Sequence, residues 1–299
     1  MSMTMENFCS IIKNDIQKEL GDCFTVSIRP TLKNNGTTLT GLVITEEGCN
    51  IAPTIYLDFY YQEYAGGRTG LKEIEHGILE CHRSSRPKSG SFDLSGFTKW
   101  ETAKSRLACK LVNYNDNQEL LKTTPHEKFL DLAVVCYYLV DMDCPATILI
   151  QDRFPALWGK DRNEVIQTAK ENTFRLFPPN IRNMGNVIKE LMGGMDLCGL
   201  DSGAGTSMYV LTSQTKMNGS IGILCPDLLK NFADEIQDDF YIIPSSIHEV
   251  LLVPAGETAG DGRELSEMVR EVNRTQVEKE ETLSDHVYFY SRETDRITM

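Results

Sequence analysis

The sequence predicts an α+β protein in which mostly antiparallel sheets are covered by helices. Three observations carry this. Apolar residues recur at helical spacing in several segments. Short apolar or alternating runs, rich in β-branched and aromatic residues, stand between those segments. Most of the strand-like runs come in adjacent pairs with a turn between them, which is how antiparallel neighbours are joined.

A first helix is predicted over residues 6–20, where Phe8, Ile12, Ile16 and Leu20 recur every fourth position with Ile11 beside them. A hairpin follows. Phe24, Val26 and Ile28 alternate in its first strand, Leu42 and Ile44 belong to its second, and Lys33-Asn34-Asn35-Gly36 supplies a turn that tolerates positive φ. After Pro53 the run TIYLDFYYQEY reads as a helix stopped by Gly66-Gly67. Leu71, Ile74, Ile78 and His82 mark one face of another helix. Residues 86–91 read as loop, 93–106 as helix and 107–114 as strand, and His126-Glu127 after Pro125 as the start of a helix or strand.

The continuous apolar run 132–140 could be a buried strand or a buried helix by periodicity alone. Its β-branched and aromatic content, with a second apolar run at 146–150, favours a hairpin. Helices are predicted at 162–171 and 184–192, separated by Phe177-Pro178-Pro179, because a residue before proline is pushed out of the α region. Residues 193–206, GGMDLCGLDSGAGT, read as a Gly-rich linker. It divides a larger N-terminal α+β part, 1–192, from an acidic C-terminal part, 207–299. In the latter, strands at 208–213 and 219–224, a helix from Pro226, strands at 240–243 and 250–253, a helix marked by Leu265, Met268, Val269 and Val272, and a hairpin of 286–291 with 296–299 give the order ββαββαββ.

Composition excludes several classes. The chain of 299 residues carries a net charge of −13, and residues 232–299 alone hold 16 acids against 6 bases. Nucleic-acid binders need clustered Lys and Arg, and anionic membrane surfaces repel such a field. No apolar run approaches the ~20 residues that span a bilayer. The start, MSMTMENFCS, has no secretory pattern, so a cytoplasmic protein is expected. Nine cysteines, evenly spread and without a CxxC pair, read as reduced thiols, several of them small core residues. His76, Cys81 and His82 do not share a helix face and have no second cluster to complete a metal site. Ala65–Gly70, AGGRTG, matches neither phosphate-binding nor dinucleotide fingerprints, so no cofactor is implied.

The candidate site residues lie in FYIIPSSIHEVLLVP, residues 240–254. Ser245, Ser246, His248 and Glu249 gather two hydroxyls, an imidazole and a carboxylate between two buried strands, the residue types of nucleophilic catalysis. Against this, alternation sends His248 and Glu249 to opposite faces, and turn serines commonly bond their own amides. Cys225 precedes a predicted helix, whose amide dipoles can lower a thiol's pKa, and a Cys225–His248 pair is a further possibility. Its alternative is an idle, buried thiol.

Segments 49–57 (CNIAPTIYL), 176–184 (LFPPNIRNM), 241–250 (YIIPSSIHEV) and 268–277 (MVREVNRTQV), with Leu283-Ser284-Asp285, resemble those of an uncharacterised domain family of anaerobic gut Firmicutes. The resemblance runs over nearly the whole chain and implies a bacterial, non-secreted protein. It brings no activity and no catalytic residues. The sequence thus predicts a non-enzymatic cytoplasmic binding or interaction protein. Its alternatives are a hydrolase-like enzyme using Cys225 or Ser245/Ser246 with His248, and an acidic mimic of nucleic acid.

Overall fold

Residues 3–49, 52–85, 95–140, 146–191, 208–244, 246–257 and 262–299 are described by the structure, a computed structural model. They divide into two units, Met1–Lys33 with Thr37–Leu94, and Asn34–Gly36 with Ser95–Met299.

In the first unit the Thr4 hydroxyl accepts the Asn7 amide and starts α1 (Met5–Leu20). Strands β1 (Phe24–Leu32) and β2 (Thr38–Glu46) pair antiparallel from Phe24↔Glu46 to Leu32↔Thr38. The Gln17 amide bonds Gly21 O, Phe24 O and Val26 N, pinning the end of α1 to β1. Asn35 turns the chain between the strands with φ 56°, as its residue type allows. The helix expected from Thr54 begins three residues later. Thr54–Tyr56 form β3, which pairs with β2, and α2 (Leu57–Ala65) follows. β-branched Thr54 and Ile55 after Pro53 favour extended backbone, and β2 offers a free edge for them. A glycine is required at Gly41, because a Cβ there would stand 2.6 Å from Thr54 Cγ2. α3 (Leu71–Ser85) completes the unit, whose core is Phe8, Ile12, Ile16, Val26, Leu42, Ile44, Ile55, Leu57, Ile74 and Ile78.

In the second unit the helix expected over 93–106 is confined, among the described residues, to α4 (Trp100–Ala103), with a 3-10 turn after it. Leu107–Asn113 is β4, Gln118–Leu121 α5, His126–Phe129 β5, Leu132–Leu139 β6 and Thr147–Leu149 β7. The sheet runs β4-β6-β5, with β7 also on β6, and is antiparallel throughout. Every residue of β6 is buried, which explains its unbroken apolar run. Three short elements of this region have no counterpart in the sequence reading: α5, α6 (Arg153–Trp158) and β8 (Pro179–Asn183). Between the last two, α7 (Arg162–Leu176) lies against β4, where Thr173 Oγ1 accepts the Cys109 amide at 2.7 Å.

The second sheet of this unit takes β8, then β9 (Tyr209–Ser213), β10 (Phe240–Ile243), β11 (Glu249–Pro254), β12 (Tyr288–Ser291) and β13 (Arg296–Thr298), in the spatial order β13-β12-β10-β11-β9-β8. Helices α8 (Met184–Leu191), α9 (Leu228–Ile236) and α10 (Gly262–Gln276) belong to the same unit. Two expectations change here. Residues 219–224 are a buried 3-10 segment rather than a strand, so ββαββαββ does not describe the C-terminal part. The segment packs against β4 of one sheet and β9 and β11 of the other, leaving no edge to pair with. A Cβ on Gly219 would stand 2.4 Å from Ser213 N. The tract 193–206, the expected boundary, lies outside the described residues. β8 before it pairs directly with β9 after it, so the units part at Leu94–Ser95 instead. The expected loop at 86–91 and the turn 141–145 also lie outside the described residues.

The fold is α+β with three antiparallel sheets. Among the described residues, no helix is long and apolar enough to cross a membrane.

Candidate functional site

Pro244 follows β10 and Ser245 lies outside the described residues. Ser246 Oγ accepts the amides of His248 at 3.0 Å and Glu249 at 3.3 Å, while its own amide donates to Glu249 O. This is a serine turn, made because a short hydroxyl can satisfy amides that the bend leaves unpaired. His248 Nδ1 accepts the Asn218 amide at 3.2 Å, so a neutral ring carries its proton on Nε2. That nitrogen faces Glu281 Oε1 at 3.8 Å. Glu249, the first residue of β11, is exposed. Neither ring nitrogen is hydrogen-bonded to the Ser246 hydroxyl, and the sequence's nucleophile–base arrangement is not formed between these two.

Cys225 is half-buried, and its amide closes the 3-10 segment by donating to Gly222 O. Burial, and then the Asp227 carboxylate, push its thiol up rather than down. The expected dipole effect fails because α9 begins at Leu228, after Asp227 with φ 61°, not at Pro226. The groove at Cys225 is lined by Phe129, Leu229, Tyr290 and Ile297, and His248 is not among its lining residues.

A tight cluster of ionisable and hydroxyl side chains lies elsewhere, and sequence reasoning missed it. Asp131 stands in the turn between β5 and β6, after Leu130 at φ 54°. Its Oδ2 accepts the Ser284 hydroxyl at 2.6 Å and meets His286 Nδ1 at 3.0 Å, and its Oδ1 accepts the Tyr288 hydroxyl at 2.7 Å. Asp131, Ser284 and Tyr288 are buried, whereas the His286 side chain is 44% exposed. Burial, followed by the Asp131 charge, pushes the Tyr288 phenol far above its ordinary range, so it remains a donor.

Backbone bonds hold the segment in place. Ser284 Oγ accepts the His286 amide, Asn273 Nδ2 donates to Ser284 O and Asp285 Oδ1, and Ser266 Oγ accepts the Val287 amide. With a carboxylate as partner, His286 Nδ1 is the protonated nitrogen, and Nε2 is the one left for the groove that the ring lines. That groove, of about 650 Å³, runs between α10 and the sheet, with Tyr241, Arg263, Ser266, Arg270, Phe289 and Met299 in its walls. Such an imidazole can accept or donate a proton, or bond an anion once protonated. In the sequence, Leu283-Ser284-Asp285 carries a family resemblance and no chemical signal. The partner Asp131 sits in an apolar stretch 153 positions earlier, and no spacing rule joins the two.

Residues 5–292 match a family of unknown function (DUF5688). No curated protein and no solved structure matches the chain. The family match spans nearly all of the sequence, and the chain belongs to this family of unknown function.

Proposed function

We propose that the protein is a non-enzymatic binding or interaction protein of the bacterial cytoplasm, whose partner is neither nucleic acid nor a membrane surface. The observation that carries this reading is the Asn218 amide on His248 Nδ1. It occupies the one nitrogen of the neutral ring that could take a proton from a nucleophile. Ser246 is engaged with two amides, and the Cys225 thiol is held in its protonated form. A net charge of −13 disfavours phosphate backbones and anionic lipid. Mimicry of nucleic acid has less support, since Asp234 and Asp239 are both engaged by Arg292.

The test is a screen of the full chain with chromogenic esters, thioesters and phosphoesters. No turnover above background is expected. Hydrolysis that disappears in Cys225→Ala or in His248→Gln would replace this reading with the hydrolase one.

A further inference from the structure

We propose that Cys109 and Cys136 form a redox pair, which a low-molecular-weight disulfide such as oxidised glutathione converts into a covalent staple between β4 and β6.

Strand register sets up the geometry. Cys109 stands directly opposite Cys136, and the two sulfurs lie 3.5 Å apart. No ladder hydrogen bond runs between the two residues. The Cys109 amide donates to Thr173 Oγ1, and Cys136 O accepts the Ile150 amide. They are thus a non-hydrogen-bonded antiparallel pair, the kind that brings facing Cα atoms to about 4.5 Å and their side chains closest. A disulfide needs Cα atoms about 4.4–6.8 Å apart and side chains that converge. The sulfurs have about 1.5 Å left to close, which side-chain rotation supplies while the backbone stays in register.

The fold also holds both thiols in place. Each side chain is fully buried, and Cys109 Sγ lies 3.9 Å from Ile166 O of α7. In the unfolded chain the two thiols are the ends of a loop 27 positions long, and bringing them together costs entropy. Folding has already removed that cost. A disulfide here restricts the unfolded chain and so stabilises the fold, and by linkage the fold favours the disulfide by the same factor.

Burial governs the rate rather than the balance. It pushes the Cys109 thiol well up, so thiolate is scarce while the fold is closed. Exchange therefore proceeds when α7 opens from β4, which is an edge strand of its sheet, or while the chain is folding. One cysteine thiolate attacks oxidised glutathione, forming a protein–glutathione disulfide and expelling one glutathione thiolate. The second cysteine thiolate attacks the protein sulfur of that mixed disulfide and expels the other. Two S–H bonds give way to one S–S bond, two electrons pass to oxidised glutathione, and two protons end on two molecules of reduced glutathione. Under reducing conditions the same steps run backwards and restore both thiols.

The experiment starts from the full chain, reduced and unfolded in urea. It is refolded to equilibrium in buffers of graded oxidised to reduced glutathione, quenched with acid, alkylated with N-ethylmaleimide and mapped by peptide mass spectrometry. Linked peptides carrying Cys109 and Cys136 are expected. Their equilibrium constant should exceed that of the same pair kept in urea by about 100-fold, or about 60 mV at about 30 mV per decade. The oxidised protein should melt about 5 °C above the reduced one, a difference absent from Cys136→Ala.

No linked peptide at the most oxidising ratio, or glutathione retained on either cysteine in its place, would overturn the assignment. A constant in urea equal to that of the folded chain would overturn it too, because the fold would then contribute nothing to the pairing. So would an oxidised protein that melts at or below the reduced one, since the link would then work against the packing of β4 on β6.

Discussion

Asp131 and Tyr288, 157 positions apart in the chain, share a hydrogen bond of 2.7 Å between carboxylate and phenol, both groups buried. The same carboxylate holds Ser284 and His286, so one side chain closes the β5–β6 turn onto the segment that leads into β12.

Replacing Asp131 by Ala therefore strands two buried hydroxyls at once. Asp131→Ala should lower the unfolding free energy by about 3 kcal/mol, and Tyr288→Phe by about 1–2 kcal/mol, in urea denaturation. An Asp131→Ala midpoint matching the parent protein would show that the clasp carries no stability.

The first unit should be acid-sensitive at one residue. His82 is buried, edge-on to Phe24 at 5.9 Å, and neither ring nitrogen has a hydrogen-bond partner among the described residues. Burial, then the Arg83 charge, hold its pKa below the ordinary value. The unfolded imidazole takes a proton at about pH 6.5, so protons favour the unfolded chain. The neutral ring's contribution is complete above that pH and is lost as pH falls through it toward the lower folded value. His82→Leu should flatten the fall in melting temperature between pH 7.5 and pH 5. An unchanged pH profile would refute the assignment to His82.

Thiol reactivity should divide the cysteines by burial. Cys109 and Cys136 face each other across β4 and β6, with sulfurs 3.5 Å apart and no exposure, and burial drives the Cys109 thiol well up. Cys23 is exposed. Iodoacetamide followed by peptide mass spectrometry should mark Cys23 before Cys225, and Cys109 and Cys136 only when the protein unfolds. Rapid native labelling of Cys109 would contradict the packing described for β4.

A methyl group at Gly219 should be among the most damaging small changes. The added carbon would lie 2.4 Å from Ser213 N and 2.6 Å from His248 O, both backbone atoms that cannot swing aside. Gly219→Ala should destabilise the second unit by roughly 3 kcal/mol or more by calorimetry, whereas Gly48→Ala, with nothing within 4 Å, should cost about 1 kcal/mol through its positive φ alone.

How far the sequence leads depends on whether a signal is local. α1 could be read because Phe8, Ile12 and Ile16 repeat on one face, and that face is buried. The β10–β11 pair could be read because both strands are apolar and a turn separates them. β8 could not, because Pro178-Pro179 signals a break, yet an edge strand tolerates proline at its first residue. The 3-10 segment misleads for a related reason. Ile221 and Ile223 alternate like a strand, but two sheets close over them and forbid pairing. Ser246 and His248 were legible as a turn and not as chemistry. The Asp131 cluster was illegible because it forms only when residues from the middle and the end of the chain meet.

Synthesis runs in one direction, and this protein's second unit cannot finish in that order. The strand that ends at Asn183 must wait for residues 209–213 before its ladder exists, and Asp131 must wait for residues 284–288 before its charge is satisfied. A nascent chain halted on the ribosome near residue 200 would hold an unpaired strand and an orphan carboxylate together. Folding of this half thus waits for residues 284–288 to be translated, and proteases acting on shorter products would find it open.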